Sequence, residues 1–449
     1  MYNKIIEKLK NKNVAILGFG KEGKSTYNFI RRHLDLKLTI LDKDKELINK
    51  NQFLADDKNL DFVLGSTYLD NLSRFDIIIK SAGVSLKDID TTDYLDKLTS
   101  QYALILEDTD LFTIGVTASK GKTTTTTLIY NIISKQRDNV YLLGNMGNPP
   151  LDYIESFNKD SILVIELAAL QLEYVRKSCN ISCILNLFLE HLDYFGDKDK
   201  YFRAKLNICK YQNESDYLIY SMDNETLLNY VSNMDIKSKK VSVSLNDSSD
   251  IKLVGNKVYY NDTLLYIDDN KRKLLGNHNL ENIMFALGVA KILNLDIPDA
   301  VNTINSFSPI EHRMEFVGTY NDIKFYNDSI ATIPEATINA IDAIGDVDTL
   351  IFGGMDRGID YNKFIDYLNN SNISNFICLP DTGYKIAPSL TKNVYMIEEM
   401  DEAVKMAYKV TKKESSCLLS PAASSYNKYK NYIEKGSLYK ECVKKYKEK

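Results

Sequence analysis

The sequence predicts an α/β protein of several domains, and three observations carry that expectation. Near the N-terminus, Val14-Ala-Ile-Leu-Gly18-Phe-Gly20-Lys-Glu-Gly23 is a short apolar strand entering a complete G-x-G-x-x-G turn. A β-branched run then leads through Gly115-Val-Thr117-Ala-Ser119-Lys120-Gly121-Lys122-Thr123, a small-residue turn ahead of a helix-compatible stretch. Finally, the strand-like segments 76–80, 161–166, 183–186, 349–352 and 417–419 each end in small or polar residues, the ligand edge of open α/β sheets. A length of 449 residues, at about 150 per domain, suggests roughly three domains.

In chain order, the first strand is followed by a helical pattern through Phe29 and Ile30 and by a second strand ending at Asp42. Such a βαβ unit holds a ligand over the helix N-terminus, and Asp42 can accept from a ribose hydroxyl; NAD is the usual occupant. Gly18, Gly20, Lys21, Glu22, Gly23, Asp42 and Lys43 are therefore candidate contacts, although tight strand–helix turns alone would explain some of the glycines. Strand 76–80 leads into Ser81-Ala82-Gly83, a second small-residue turn, so Ala82 and Gly83 join the same crevice. The pattern resets near 107–110, where a domain boundary is expected.

The turn 115–123 has the layout of a phosphate cradle. Backbone N–H groups point at phosphate oxygens, Lys122 supplies a compact positive charge, and the Thr123 hydroxyl can hold Mg²⁺. Strict P-loop spacing asks for glycine where Val116 stands, so a chance Gly-Lys-Thr is the competing explanation. Downstream, Glu166 follows five strand-like residues, an arrangement that carries Mg²⁺ across the sheet from a phosphate loop. The segment 197–211 reads as a helix with Asp197 at its start, and Lys205 inside it is by default a solvated residue. From 213 to 273 the chain reads as polar, alternating, hairpin-forming material without a catalytic pattern. A helix follows over 283–293.

Ser308-Pro309 marks a further break, after which Glu311-His312-Arg313, Asn327-Asp328-Ser329, Gly353-Gly354-Met-Asp-Arg357 and Ser420 to Ser425 place polar groups at strand ends of a third α/β domain. Three of the four histidines, His191, His278 and His312, fall in these motif stretches. Composition narrows the class of function. No apolar stretch is long enough to cross a bilayer, and the charged N-terminus does not resemble a signal peptide, which points to the cytoplasm. Six scattered cysteines without Cys-x-x-Cys pairs fit reduced, buried thiols. A net charge of −5 with both signs interspersed marks no nucleic-acid surface.

Taken in order, these stretches resemble the Mur ligase family. The matching pieces are 115–123, Gly144-Asn145-Met-Gly147, 164–173, 186–193, Ala204-Lys205-Leu206, 276–282, His312-Arg313, 327–332 and 419–425, spanning nearly the whole chain. The family's own loop, Gly-x-Thr-Gly-x-x-Gly-Lys-Thr/Ser, puts Gly115 in place. The resemblance implies three domains: a Rossmann-like domain over 1–109 for a UDP substrate, a central P-loop ATPase domain over 110–308, and a Rossmann-like C-terminal domain over 309–449 closing over ATP and an amino acid. It implies ligation of glutamate to UDP-N-acetylmuramoyl-L-alanine through an acyl phosphate, with ATP, two Mg²⁺ ions and no nucleic acid or membrane partner, in a monomer. Position by position, it implies that Lys122 meets the β/γ-phosphates, Thr123 and Glu166 the first Mg²⁺, and His191 the second, with Lys205 on the family's carbamylated lysine. It further implies ATP contacts at Gly115, Thr117, Ser119, Lys120, Gly121, Thr124, Asn282, Arg313 and Asp328. Substrate contacts fall on Asn145 and, around the incoming glutamate, on Thr332, Arg357, Ser425 and Tyr432.

Four positions depart from the family pattern. Ala118 replaces a loop glycine, which requires φ below zero there; Glu190 replaces an aspartate; Ile330 and Arg357 each stand where lysine is usual. Arginine offers a planar fork where lysine offers a point charge, so beside D-glutamate, the substrate the resemblance implies first, an L-glutamate-specific relative is the alternative. A nucleotide-binding regulatory protein, with NAD at 18–23 and a non-catalytic phosphate loop, is the alternative from another class.

Overall fold

The computed structural model describes residues 2–144, 149–246, 248–269, 271–308 and 311–447. Among the described residues twenty strands form three sheets. The first sheet holds β1 (Val14–Leu17), β2 (Leu38–Asp42), β3 (Leu60–Leu64), β4 (Ile77–Lys80) and β5 (Leu98–Thr99), all parallel in the order β3-β2-β1-β4-β5. Its inner strands β1, β2 and β4 are mostly apolar and buried, as expected of a parallel sheet covered on both faces. The order reverses between β1 and β4, and there the two glycine-bearing turns meet.

The second sheet contains β6 (Phe112–Thr117), β7 (Val140–Gly144), β8 (Ile162–Glu166), β9 (Ile181–Ile184), β10 (Tyr217–Ser221), β11 (Lys239–Ser244), β12 (Ile251–Val254), β13 (Lys257–Tyr260) and β14 (Thr263–Ile267). Its order is β14-β13-β12-β11-β10-β9-β6-β8-β7, parallel except for the β12–β13 and β13–β14 pairs. The expectation of hairpins throughout 213–273 holds only for β12 to β14. β10 and β11 pair in parallel, with the helix Glu225–Ser232 as their crossover. The inner strand β10 buries Leu218, Ile219 and Ser221, a run that alternating polarity concealed.

The third sheet holds β15 (Glu315–Tyr320), β16 (Ile323–Asn327), β17 (Val347–Gly354), β18 (Asn375–Asp381), β19 (Asn393–Met396) and β20 (Ser416–Leu419) in the order β15-β16-β20-β17-β18-β19, antiparallel only at β15–β16.

The chain divides into two compact units. One comprises 1–270 and 281–304 with the first two sheets; the other comprises 271–280 and 305–449 with the third. Within the first unit one apolar cluster runs from Ile5 and Phe29 through Leu104 and Leu163 to Tyr201 and Ile208, which is why two sheets pack as one body. The helix expected from 283 begins earlier, spanning Asn277–Ile292. Asp197 caps the helix Lys198–Lys210 by accepting from Lys200 N at 2.9 Å, a bond worth about 1 kcal/mol. All six cysteines are buried and unpaired. Among the described residues, no helix is long and apolar enough to cross a membrane.

Candidate functional site

The turns after β1 and β4 wall a cavity of about 430 Å³ lined by Gly18, Gly20, Lys21, Glu22, Asp42, Lys43, Ala82 and Gly83. The glycines divide by purpose. Gly18 has φ +88, and a Cβ on Gly23 would lie 2.1 Å from the Gly18 carbonyl oxygen, so these two make the turn possible. Gly20 and Gly83 face open space. Two expected contacts are largely engaged within the protein. Asp42 accepts from Phe19 N at 2.7 Å and from Asp44 N at 2.9 Å, bracing the first turn. Glu22 accepts from Ala82 N at 2.8 Å and from Gln171 Nε2 at 3.1 Å, tying the two rims together. Two cations, Lys21 and Lys43, line the cavity beside the glycines, a lining suited to a phosphorylated ligand. Tyr68, Tyr102 and Gln171 also line the cavity; no motif marks Tyr68 or Tyr102, and Gln171, though inside the 164–173 stretch, carried no expected contact, since such residues are recruited only by tertiary packing.

The phosphate loop leaves β6 and enters the helix Lys122–Ser134 through Gly121 at φ +90. Ala118 is absent from the positive-φ residues, so its methyl group costs no backbone strain. Asn186, just past β9, locks the loop: its Oδ1 accepts from Ser119 N at 3.1 Å and Lys120 N at 2.8 Å, and its Nδ2 donates to the Lys120 carbonyl at 2.9 Å. Ser119 Oγ donates to the Phe188 carbonyl and accepts from Phe188 N. Lys120 lies over the Phe188 ring, 5.6 Å from its centroid. Thr117, Thr123 and Thr124 are buried, and an added Cβ at Gly121 would come 2.7 Å from Asn282 Oδ1, so that residue of the helix Asn277–Ile292 abuts the loop. Gly115 does not belong to the cradle. It sits inside β6, where a Cβ would come 2.5 Å from Cys179 Sγ, so its small size is a packing requirement.

Lys122 Nζ donates to the carbonyls of Ala118 and Ser119 at 2.8 and 2.9 Å. Lys205 Nζ donates to the same Ala118 carbonyl at 2.6 Å. Lys205 is therefore no solvated helix residue: it is 2% exposed, and burial, then the Lys122 charge, hold its ammonium well below the ordinary lysine range. Glu190 and Glu166 act in the opposite direction. Glu166 ends β8 beside Val116 of β6 and Gly144 of β7 and is 2% exposed. His191 has φ 55 at the start of the helix Leu192–Phe195, and its ring lies 6.1 Å from that of Tyr201, over which Lys205 Nζ lies at 5.1 Å. Tyr201 thus stands beside both. Asn145 falls outside the described residues.

In the second unit, β16, β17 and β20 end together. Gly353 and Gly354 have φ of +126 and +155, and Cβ atoms there would lie 2.4 Å from the Leu379 carbonyl oxygen and 2.3 Å from that of Ser424. Ser424 and Ser425 are buried, with hydroxyls that find no partner among the described residues, and the same holds for Arg313 Nε. Arg357 is exposed over the Tyr426 ring at 5.8 Å, Thr332 is exposed, and the Tyr432 carbonyl accepts from Ser329 Oγ at 2.9 Å. Asp328, expected at ATP, turns inward. It accepts from Ser420 Oγ at 2.8 Å and Met314 N at 3.1 Å, is 4% exposed, and burial pushes its carboxyl up to about 7. His312 is also structural, packed against Asn327 Nδ2 at 3.0 Å. Lys435, which no motif marked, is wholly buried and donates to the Gly353 carbonyl at 2.7 Å, and burial lowers its ammonium to about 7.

A phosphate loop, a buried carboxylate on the neighbouring strand and a separate glycine-walled crevice define a nucleotide-dependent enzyme of the α/β class. The chain belongs to the Mur ligase family: residues 12–97 match the MurD-like N-terminal domain, 116–290 the Mur ligase middle domain and 312–423 the glutamate ligase domain. Curated relatives named UDP-N-acetylmuramoylalanine–D-glutamate ligase include one from Clostridium tetani, 32% identical with 99% of each chain covered, and one from Clostridioides difficile, 30% identical over 97% of this chain and 99% of the relative. Among solved structures, the fold is shared with MurF from Acinetobacter baumannii (TM-score 0.64, 15% identity, 96% of this chain and 90% of the other). It is also shared with MurF from Thermotoga maritima in complex with ADP (TM-score 0.61, 16% identity, 99% and 97%).

Proposed function

We propose that the chain joins D-glutamate to the terminal carboxylate of UDP-N-acetylmuramoyl-L-alanine while converting ATP to ADP and phosphate, in peptidoglycan precursor synthesis. The observation that carries this reading is the pairing, in one compact unit, of a lysine-bearing crevice with a phosphate loop flanked by a buried carboxylate. The relatives' names support the substrates, and the ADP complex of a shared fold supports the nucleotide.

A carboxylate is a poor electrophile, so its oxygen attacks the γ-phosphorus and ADP leaves. The amine of glutamate then attacks the acyl carbonyl, loses a proton, and the carbon–oxygen bond to phosphate breaks. Lys122, once turned from its loop carbonyls to the β/γ-phosphates, stabilises the charge that develops. Asn186 holds the Ser119 and Lys120 N–H groups, so the N–H groups presented to phosphate are those of the first turn of the helix Lys122–Ser134. Lys21, Lys43 and the glycines after β1 and β4 hold the UDP moiety, and Asn282 borders the ATP loop. Thr332, Arg357, Ser425 and Tyr432 serve the incoming glutamate, with the Arg357 fork taking a carboxylate.

Among the described residues no three His, Cys, Asp or Glu side chains form a ready metal cage. One hydroxyl and one buried carboxylate nevertheless fit Mg²⁺, which takes its other ligands from phosphates and water. Thr123 and Glu166 would hold that ion, which when bound neutralises phosphate charge. His191 and a carbamylated Lys205, both beside Tyr201, are the expected second pair. The enzyme works in this reading as a cytoplasmic monomer.

Phosphate release in the presence of ATP, Mg²⁺, UDP-N-acetylmuramoyl-L-alanine and each glutamate enantiomer tests the proposal. Release that requires D-glutamate supports it, and release with L-glutamate alone overturns the enantiomer. No release under any combination, with NAD bound to the purified protein, would replace the ligase with the regulatory alternative.

A further inference from the structure

Lys80 is the last residue of β4, immediately before the Ser81–Val84 turn that lines the crevice, yet its side chain is only 1% exposed. It is not among the residues that line the crevice and sits in a small polar cluster. Its Nζ lies 3.2 Å from Glu173 Oε2 and donates to Tyr194 Oη at 2.5 Å, with the rings of Tyr174 and Tyr194 at 5.4 and 5.3 Å. Tyr194 Oη is within 2.7 Å of the Val84 carbonyl and 3.1 Å of Glu173, and Ser85 Oγ donates to the Tyr194 carbonyl at 2.7 Å.

Tyr194 belongs to the four-residue helix Leu192–Phe195, which begins directly after His191. The crevice turn of the first sheet and the His191 segment of the second are therefore fastened to each other at three points, all through Tyr194. Two of those points need its hydroxyl, and one needs the Lys80 charge. An ionised lysine is costly to bury unless its partners are worth more, and a merely structural contact at this place would be met by an apolar side chain.

We infer that Lys80, Glu173 and Tyr194 form a positioning device that sets the register between the crevice occupant and the His191 side of the phosphate site. The inference deepens the proposed ligase reading and rests on it for the reaction affected. Lys80 itself touches neither ligand: Ser81 to Val84 line the crevice, while the Lys80 ammonium lies behind them. Loss of the device leaves each ligand bound and displaces the two relative to each other, so the turnover rate carries the effect and the Michaelis constants do not.

The test compares Lys80→Met, Tyr194→Phe and the double variant with the full-length wild type. Expected are a kcat reduced about tenfold to a hundredfold in each single variant, KM values for ATP and the UDP substrate within twofold of wild type, and no further loss in the double variant. A kcat within twofold of wild type in folded Tyr194→Phe, which removes one oxygen only, overturns the inference even if Lys80→Met fails to fold. Independent losses that multiply in the double variant also overturn it. Amide hydrogen exchange separates this from the ligase reading. UDP added to wild type is expected to slow exchange across Leu192–Phe195 and to leave it unchanged in Tyr194→Phe. That pattern in a wild type without ligase activity would keep the device and remove the reaction, whereas unchanged exchange in wild type with UDP would remove the device.

Discussion

The phosphate loop and the strand ends of the third sheet are both polar edges of mostly parallel sheets, but they are finished differently. Around the loop, Asn186 and Ser119 fix the backbone, and Lys122 rests on carbonyls of its own loop, although the Thr117 and Thr125 hydroxyls are buried without a partner among the described residues. At the third sheet, Ser424, Ser425 and Arg313 keep buried polar atoms without partners among the described residues. Leaving such groups unmet costs about 1–3 kcal/mol each, which persists where a ligand supplies the missing bond. In the proposed reading the contrast is between a nucleotide loop whose backbone is held before the ligand arrives and an amino-acid site whose buried side chains await theirs.

Breaking the cradle is expected to cost most. Lys122→Met removes the cation aimed at developing phosphate charge, and phosphate release should fall about a thousandfold with the fold intact by circular dichroism. Lys205→Ala is expected to lose activity that bicarbonate or short carboxylates partly restore; wild-type rates in that variant would exclude the carbamate. Asn186→Ala keeps every charged group and unlocks the loop, so kcat/KM for ATP should fall about tenfold to a hundredfold. An Asn186→Ala variant as active as wild type would erase the distinction drawn above.

At the third sheet the effects are smaller and fall on the other substrate. Ser425→Ala should raise KM for glutamate about tenfold, equivalent to about 1.4 kcal/mol of lost hydrogen bonding, and leave KM for ATP unchanged. Asp328 offers a readout without turnover. Burial raises its carboxyl to about 7, so the folded state keeps a proton that the unfolded chain releases near 4. Stability therefore declines as pH rises from about 4 to about 7 and levels off above that, and Asp328→Asn should flatten the decline in denaturant titrations.

The sequence was most legible where chemistry is local. The strand–turn–helix units at 14–33 and 112–134 appear at the places their glycines and apolar runs indicate, because turn geometry is set by neighbouring residues. It was least legible where a role depends on what lies across the fold. Gly115 reads as a loop glycine and answers to Cys179; Glu22 and Asp42 read as ligand contacts and brace two turns; Asn186, inside the 186–193 stretch, carried no role and Lys435 no motif, yet they hold the two strand-end systems in shape. For Lys205 helical pattern alone gave a solvated position, and only the family resemblance pointed inward, where the structure has a buried amine beside Lys122. Helical periodicity gives a residue's face, not what packs against it.

The central claim is that ATP activates a carboxylate in this cradle, and oxygen tracing tests it most directly. With ¹⁸O in the terminal carboxylate of UDP-N-acetylmuramoyl-L-alanine, the account predicts that each phosphate released with D-glutamate carries one carboxylate oxygen, because the acyl carbon–oxygen bond is the one that breaks. Phosphate free of the label, from an enzyme that still forms the amide, would contradict the acyl-phosphate route.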